Sequence, residues 1–388
     1  MKKICFLMDS LFTFGGVQRV TAVVAKQLAA TCDVTIVTFD RPDQEDTSLY
    51  GLSEARISYR YVSYPQTSWL SRKVRKVYSG LYRKLRLQSQ WASDLYARSS
   101  FPKKLRLALA SELAKGGYDT IVGVHAPLAA RLSTLSPLLP GTRLVGWIHN
   151  SFEALYGDTS LYIGAELKRH YVYQLRRLDS VVVLCRHDAE CYTAYDPALH
   201  PTVIYNPLTL QPGTPSAGTS KRFLAVGRFS RRHKGFDLLI QAFHLFAEQN
   251  TDWQLDIVGE GVEEPLYRSL ISQYGLQDRV TIHPFTPDIQ QYYSAAQVYV
   301  LSSRWEGFGL VLVEAMAHGL PVVSSDLPTS LEIMGDFGLY FRNGNVQELA
   351  QRLTDATRLD WPAKSAEAID RAHRFDTANI IAQWREVL

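Results

Sequence analysis

Long apolar runs are missing from this sequence. No stretch approaches the roughly 20 consecutive apolar residues that a spanning helix needs, so no transmembrane helix is expected. The N-terminal stretch MKKICFLMDS has an apolar run of only Ile4–Met8, and no small-residue cleavage site follows. It reads as a first buried strand, which makes an intracellular protein the expectation. Cysteine is scarce: Cys5, Cys32, Cys185 and Cys191, with no Cys-x-x-Cys pair. With no such pair, and with most of them in apolar runs, all four read as reduced core residues. Gly-x-Gly-x-x-Gly is absent, and Gly259-Glu260-Gly261 lacks a third glycine, so a nicotinamide dehydrogenase is poorly supported. No Asp-x-Asp occurs anywhere. Acids are depleted between Arg56 and Arg106, where thirteen basic residues meet one acid, Asp94.

What is present is the composition of a globular protein, with 46% hydrophobic and 21% charged residues. At 388 residues the chain is too long for one ordinary core, so two domains are expected. Strand-like apolar runs alternate with helix-like segments: KICFLM, a helix from Val17 to Ala29, DVTIVTF, then TIVGVH, RLVGWIH, SVVVLC and TVIY. This is the pattern of an α/β protein with buried parallel strands. Residues 206–221, NPLTLQPGTPSAGTSK, read as a linker because prolines, glycines and Ser/Thr dominate them. The alternation then restarts with FLAVGRF, LDIVG, RVTIHPF, QVYVLSS, PVVSS and GLYF, separated by helices. The expected organisation is a basic domain over 1–205, the linker, a second domain over 222–370 and a helical tail over 371–388. The net charge of +4 divides unevenly, with 26 Lys+Arg against 17 Asp+Glu in residues 1–205 and 16 against 21 beyond.

The basic excess centres on WLSRKVRKVYSGLYRKLRL, residues 69–87. Trp69, Leu70, Val74, Val77, Tyr78, Leu81 and Leu85 recur at helical spacing, with seven basic residues between Arg72 and Arg86. A basic amphipathic helix of this kind suits an anionic bilayer surface. The other reading is a helix packed on its own domain with a solvated basic face. Nucleic acid is not expected, because no aromatic platform or base-reading motif accompanies the charge.

Three constellations could carry chemistry. Gly15-Gly16 stands between the first strand and a helix. Glycines there allow close backbone approach, and the helix start offers free N–H groups to phosphate; a plain turn fits equally well. Gly227-Arg228 ends the strand FLAVGRF, and the loop SRRHKG returns Lys234 before the next helix. Two cations at one strand end can clamp a diphosphate and stabilise it as a leaving group. Arg231, Arg232 and His233 read as solvated loop charges. The third is RWEGFGLVLVEAMAHG, Arg304–Gly319. It carries Glu306 in a glycine-containing turn and Glu314 in an apolar helix. Gly307, Gly309 and Leu310 offer amides to phosphate, and the carboxylates can accept hydrogen bonds from sugar hydroxyls.

GGVQR, GRFSRRHKG and EGFGLVLVE resemble the three signatures of retaining GT-B glycosyltransferases, family 4, and Glu306 and Glu314 meet the family's E-x7-E motif. The resemblance implies an α/β GT-B fold of two Rossmann-like, doubly wound domains facing across a cleft. It implies a nucleotide-sugar donor bound by the second domain, with Arg228 and Lys234 on the diphosphate, Glu314 on the ribose and Glu306 on the transferred sugar. Gly227, Phe285, Phe308, Gly309, Leu310 and Val311 complete the donor site that it implies. Gly15 and Gly16 close on the donor from the first domain, and His149 stands beside the donor sugar and acceptor. The final helix TANIIAQWREVL resembles one that crosses back to the N-terminal domain. Gln18 departs from the pattern, since many members carry Glu there. The missing Asp-x-Asp agrees with a metal-independent reaction that uses no cofactor.

The expected activity is transfer of a hexose or N-acetylhexosamine from a UDP-sugar to an acceptor hydroxyl, in synthesis of a bacterial cell-surface glycan. A GDP-sugar mannosyl transfer is the alternative. Readings of another class are a GT-B epimerase or phosphorylase, or a non-catalytic GT-B partner subunit. The expected acceptor is lipid-linked or polymeric. The expected location is cytoplasmic, with peripheral contact to the inner face of the cell membrane through residues 69–106.

Overall fold

The computed structural model describes Met1–Leu388 except residues 64–68, 86, 88, 158, 159 and 161. Within the helix Trp69–Leu85 it does not describe the side chains of residues 70, 71, 72, 74 and 75. The side chains of Leu70, Arg72, Val74 and Arg75, and Arg86 as a whole, therefore lie outside the described residues.

The chain forms two units: Met1–Pro207 together with Thr377–Leu388, and Leu208–Asp376. Among the described residues the first holds seven parallel strands, β1 (Lys3–Met8), β2 (Asp33–Thr38), β3 (Ile57–Tyr61), β4 (Thr120–Val124), β5 (Arg143–Trp147), β6 (Ser180–Val183) and β7 (Thr202–Val203), in the order β3-β2-β1-β4-β5-β6-β7. Helices cover both faces, so the central strands bury nearly every side chain past their first residues. Ile4–Met8 and Thr120–Val124 are buried without a break, which is why they read as continuous apolar runs. The edge strand β3, ISYRY, has no fully buried residue, and its mixed composition gave no strand signal.

The second unit holds six parallel strands, β8 (Arg222–Val226), β9 (Gln254–Val258), β10 (Val280–His283), β11 (Val298–Leu301), β12 (Val322–Ser325) and β13 (Leu339–Phe341), in the order β10-β9-β8-β11-β12-β13. The helix Phe236–Ala247 places Phe236, Leu239, Ile240, Phe243 and Phe246 on one buried face at helical spacing. Phe246 meets Phe223 of β8 edge-on at 5.3 Å, and Trp253 lies 4.6 Å from Phe223. Each such buried ring contributes about 1.5–3 kcal/mol of transfer free energy, and together they pack β8 into the core of the second unit.

Residues 208–221 are fastened to the second unit rather than free of it. Leu208 N–H donates to Phe375 O (2.8 Å), Gly213 N–H to His318 Nε2 (3.3 Å) and Ser216 N–H to His318 O (3.1 Å). The prolines deny this segment regular structure, but specific hydrogen bonds still order it. The helix Thr377–Val387 belongs to the first unit. Trp384 packs edge-on against Trp147 at 4.6 Å, and Arg143 Nε donates to Val387 O at 2.8 Å.

Among the described residues no helix is long and apolar enough to cross a membrane. None of the four cysteines is in a disulfide. Cys5 and Cys185 are buried, but Cys32 and Cys191 are only partly so, which corrects the expectation of four core residues. Cys191 misled because it lies on a helix whose exposed face is polar.

Candidate active site

In an open parallel sheet, ligand groups gather beyond the carboxyl ends of the strands where the strand order reverses. In the second unit that point lies between β8 and β11, which pair directly. From β8 the chain enters Gly227 and Arg228. It then forms a helical turn, Arg231–Lys234, where a loop was expected. From β11 it enters Ser302–Gly309 and then the helix Leu310–Ala317.

The two exits are bolted together. Gly235 takes φ 63°, and a Cβ there would stand 2.2 Å from Ser302 O, so only glycine fits. Ser302 Oγ donates to Lys234 O (2.9 Å), and Arg304 N–H donates to His233 O (2.7 Å). Buried Asp237 receives a two-pronged grip from Arg304, Nη1 and Nη2 each at 2.9 Å, and Arg231 Nε at 3.2 Å. Arg231 is thus an exposed loop charge, as expected, that also tethers Asp237.

This frame brings Lys234 onto Glu306. Lys234 Nζ donates to Glu306 Oε1 at 2.6 Å, and Ser303 Oγ donates to the same oxygen at 2.6 Å. His233, expected to be solvated, lies flat on Trp305 with ring centroids 3.7 Å apart, and its Nε2 is 3.6 Å from Glu306 Oε2. The sequence hid it because a histidine in a basic loop has no spacing signature. Burial alone would raise the Glu306 carboxyl, but Lys234 and His233 outweigh it and hold the group well below the usual carboxylate range. Glu306 is therefore held as a buried anion.

Lys234 also reaches back to Gly227. A Cβ on Gly227 would stand 2.9 Å from Lys234 Cε, so the glycine makes room for the lysine stem. Arg228 follows and is exposed. On the other side, the position of a Cβ on Gly309 lies 4.0 Å from Glu306 Cγ. Gly309 takes φ 85° and starts the helix Leu310–Ala317, which has no side-chain cap and no acid in its first turn. Its free N–H groups and dipole suit an anion. Leu310 and Val311 are half-buried in that turn, and buried Phe308 packs edge-on against Phe375 at 5.7 Å. Phe285, two residues past β10, is 41% exposed.

Glu314 lies on the same helix and is 2% exposed, as its apolar neighbours implied. Tyr293 Oη donates to Oε2 at 3.0 Å and Thr209 Oγ1 to Oε1 at 3.2 Å. Neither partner was legible in the sequence, because Thr209 lies in the proline-rich segment and Tyr293 on the short helix Gln290–Ala295. Tyr299 of β11 is wholly buried. Burial first, with both carboxylates adding, holds its hydroxyl well above the ordinary tyrosine value.

In the first unit, His149 lies two residues beyond β5, buried, 4.3 Å from the Trp147 ring and 5.3 Å from that of His125. Its Nε2 has no hydrogen-bond partner among the described residues. Burial, then repulsion from His125, holds its pKa well below the ordinary value, so the imidazole is neutral. His125 ends β4 as His149 follows β5, and the shared strand-then-histidine pattern in TIVGVH could have found it. Gly15 is pinned by Tyr50, whose Oη accepts from Gly15 N–H (2.9 Å) and donates to Thr13 O (2.7 Å). The helix Gly16–Leu28 begins there with no side-chain cap and no acid in its first turn.

Two family profiles match this chain. Residues 14–211 match the one described as Glycosyltransferase Family 4, and residues 209–374 the one described as Glycosyl transferases group 1. The chain belongs to the family 4 glycosyltransferases. Among the relatives of this glycosyltransferase, an uncharacterized glycosyltransferase of Haemophilus influenzae is 25% identical over 402 residues, covering all of both chains. The amylovoran biosynthesis glycosyltransferase AmsD of Erwinia amylovora is 25% identical over 87% of this chain and 85% of its own. The lipopolysaccharide core mannosyltransferase LpcC of Rhizobium leguminosarum is 30% identical over 45% of this chain and 53% of its own. Of solved structures, TarM superposes with a TM-score of 0.76 at 15% identity, covering 100% of this chain and 98% of TarM. Anabaena HepE with UDP-glucose does so at 0.73 and 20% identity, covering 100% of both. The fold of this glycosyltransferase is thus GT-B.

Proposed function

We propose that this glycosyltransferase moves a hexose or N-acetylhexosamine from a UDP-sugar to an acceptor hydroxyl, with retention at the anomeric carbon and without a metal ion. The observation that carries the reading is the buried Lys234–Glu306 pair, set between the exposed Arg228 and the uncapped helix start at Gly309–Leu310. Cations and amides suit a diphosphate, and a fixed carboxylate suits sugar hydroxyls. In this reading Arg228, Lys234 and the amides around Leu310 hold the diphosphate, with Gly227 and Gly309 allowing close approach. Glu314 takes the ribose, Glu306 the transferred sugar, and Phe308 and Val311 shape the wall. Phe285 is assigned to the base. Gly15, Gly16 and neutral His149 are assigned to sugar and acceptor hydroxyls.

The chemistry follows from what these groups supply. The bond between the anomeric carbon and the diphosphate oxygen breaks as the acceptor oxygen bonds to the same face of that carbon. The acceptor proton passes to the departing diphosphate oxygen, giving glycoside and UDP. No side chain here is asked to form a covalent bond, since the departing diphosphate oxygen itself takes the acceptor proton.

Surface-glycan synthesis is the proposed setting, supported by AmsD and LpcC among the relatives. The LpcC match also keeps a GDP-mannose donor as the second reading. Peripheral contact with an anionic membrane is proposed for the helix Trp69–Leu85 and the segment after it. Trp69 (65% exposed), Trp91 (74%) and Leu85 (61%) stand out beside exposed Lys73, Lys76, Arg83 and Lys84. A panel of UDP- and GDP-sugars, scored by ligand-induced thermal shift and then by hydrolysis, tests the donor. Loss of transfer in Lys234→Ala and Glu306→Ala is expected. A kcat/KM within a few-fold of wild type in either variant overturns the assignment.

A further inference from the structure

The first unit carries a mixed Glu–His–Cys cluster that the transfer reaction does not use. After β5 and His149 the chain forms the short helix Phe152–Tyr156, and after β6 the helix Arg186–Tyr195. His187 and Cys191 are four residues apart on the second helix, so their side chains share one face. Glu153 of the first helix meets them there. Glu153 Oε1 lies 2.7 Å from His187 Nε2 and 3.6 Å from Cys191 Sγ, and His187 Nε2 lies 3.5 Å from Cys191 Sγ. All three ligand atoms fall within 4.8 Å of one another.

Two of those three separations, the ones to sulfur, match a coordination sphere. With metal–ligand bonds of about 2.0–2.3 Å, tetrahedral ligand atoms stand roughly 3.3–3.7 Å apart. Both sulfur distances already satisfy this, and the shorter Glu–His approach is the hydrogen bond that the pair makes without an ion. The two helices are held in this relation by buried Asp188, whose Oδ1 accepts from Phe152 N–H at 2.8 Å and whose Oδ2 accepts from Cys185 Sγ at 3.2 Å. The ligands thus come from a fastened scaffold. Asp188 and Glu190 add negative charge around Cys191, while Lys168 is engaged with the rings of Phe152 and Tyr195.

We propose that Glu153, His187 and Cys191 form a binding site for a thiophilic divalent ion of the zinc class. Thiolate, imidazole and carboxylate together select such an ion over magnesium or calcium, which prefer oxygen ligands. Three protein ligands leave the fourth tetrahedral position to water, as the partial exposure of the cluster permits. On binding, the Cys191 thiol gives its proton to solvent as the metal–sulfur bond forms. The ion ties the segment that begins at His149, four residues before Glu153, to the helix Arg186–Tyr195. Its effect is to brace the loop bearing His149, and it takes no part in the diphosphate grip.

Cobalt(II) is the probe. Untagged, metal-free, full-length protein under a phosphine reductant is titrated with Co2+ and followed by absorbance. The expected result is a thiolate-to-cobalt charge-transfer band and tetrahedral d–d bands that saturate at equimolar metal and are bleached by Zn2+. Cys191→Ser abolishes the charge-transfer band. His187→Ala and Glu153→Gln each weaken binding by at least about tenfold. Cys32→Ser, the control for the other partly exposed thiol, leaves the spectrum unchanged. Zn2+ raises the Tm of the wild type and not that of Cys191→Ser. The metal-free Tm of the variants stays close to that of the wild type, since their side chains are partly exposed. Absence of the band at equimolar cobalt overturns the proposal, and so does its persistence in Cys191→Ser or an equal zinc-induced Tm rise there.

Discussion

Replacing Lys234 by methionine is expected to destabilise the protein most at neutral pH and least in acid. Methionine keeps the apolar stem that lies on Gly227 but removes the ammonium from Glu306 Oε1, 2.6 Å away. Both side chains are sheltered, 12% exposed for Lys234 and 7% for Glu306, so solvent does little to screen the loss. Removing one partner of a buried pair costs about 3–5 kcal/mol, because the remaining charge stays buried. At ~2–4 °C per kcal/mol for a domain of this size, the apparent Tm falls by roughly 6–20 °C. The pH dependence follows from the direction of each shift. In the wild type the Glu306 carboxyl lies below its unfolded value of about 4.3, so the pair stabilises above that value and its contribution fades as pH falls towards the folded value. In Lys234→Met burial is opposed by His233 without the ammonium, so the carboxyl rises from its wild-type position. The variant therefore pays a penalty at neutral pH that is relieved as Glu306 takes up a proton. The Tm gap between the two proteins should narrow as pH falls from about 7 to about 4. Scanning calorimetry across that range measures it, and Lys234→Met/Glu306→Gln should recover most of the lost stability without recovering transfer. A gap under about 1 °C at neutral pH, or one that does not change with pH, refutes the reasoning.

Gly235→Ala combines a positive φ with a Cβ driven onto Ser302 O, so a loss above about 1 kcal/mol and a lower Tm are expected; an unchanged Tm means the turn is not clamped as described. His149, with its depressed pKa, should show no titration of its ring resonances between about pH 6 and 8 by NMR. Because that depression gives stability that is lost as pH falls below the unfolded value of about 6.5, His149→Asn should lose stability less steeply in mild acid than wild type. Tyr293→Phe removes the donor to Glu314 Oε2 and is expected to raise the donor KM several-fold with a smaller change in kcat; steady-state kinetics showing the reverse would detach Glu314 from donor binding.

The sequence carried the parallel strands plainly, because strands buried on both faces must be apolar throughout. It carried Glu306 and Lys234 through their spacing around strand ends. It did not carry what binds them. Asp237 holds Arg304 across 67 residues, and Tyr293 meets Glu314 from another helix, so neither pairing leaves a local pattern. His233 looked like one more loop charge until its ring was found on Trp305. The edge strand Ile57–Tyr61 was invisible because a half-exposed edge does not need alternating or continuous apolar residues. Cys191 failed in the opposite way: cysteine is so often buried that its place beside His187 and Glu153 could not be inferred from composition.

The central claim is retaining transfer from a UDP-sugar, and the slow hydrolysis of that donor by the wild-type protein tests it without knowledge of the acceptor. Proton NMR of the first sugar released from an α-linked UDP-hexose, read before mutarotation, reports the anomeric configuration directly. Retention predicts the α-anomer, formed in step with UDP. A first-formed β-anomer would contradict it.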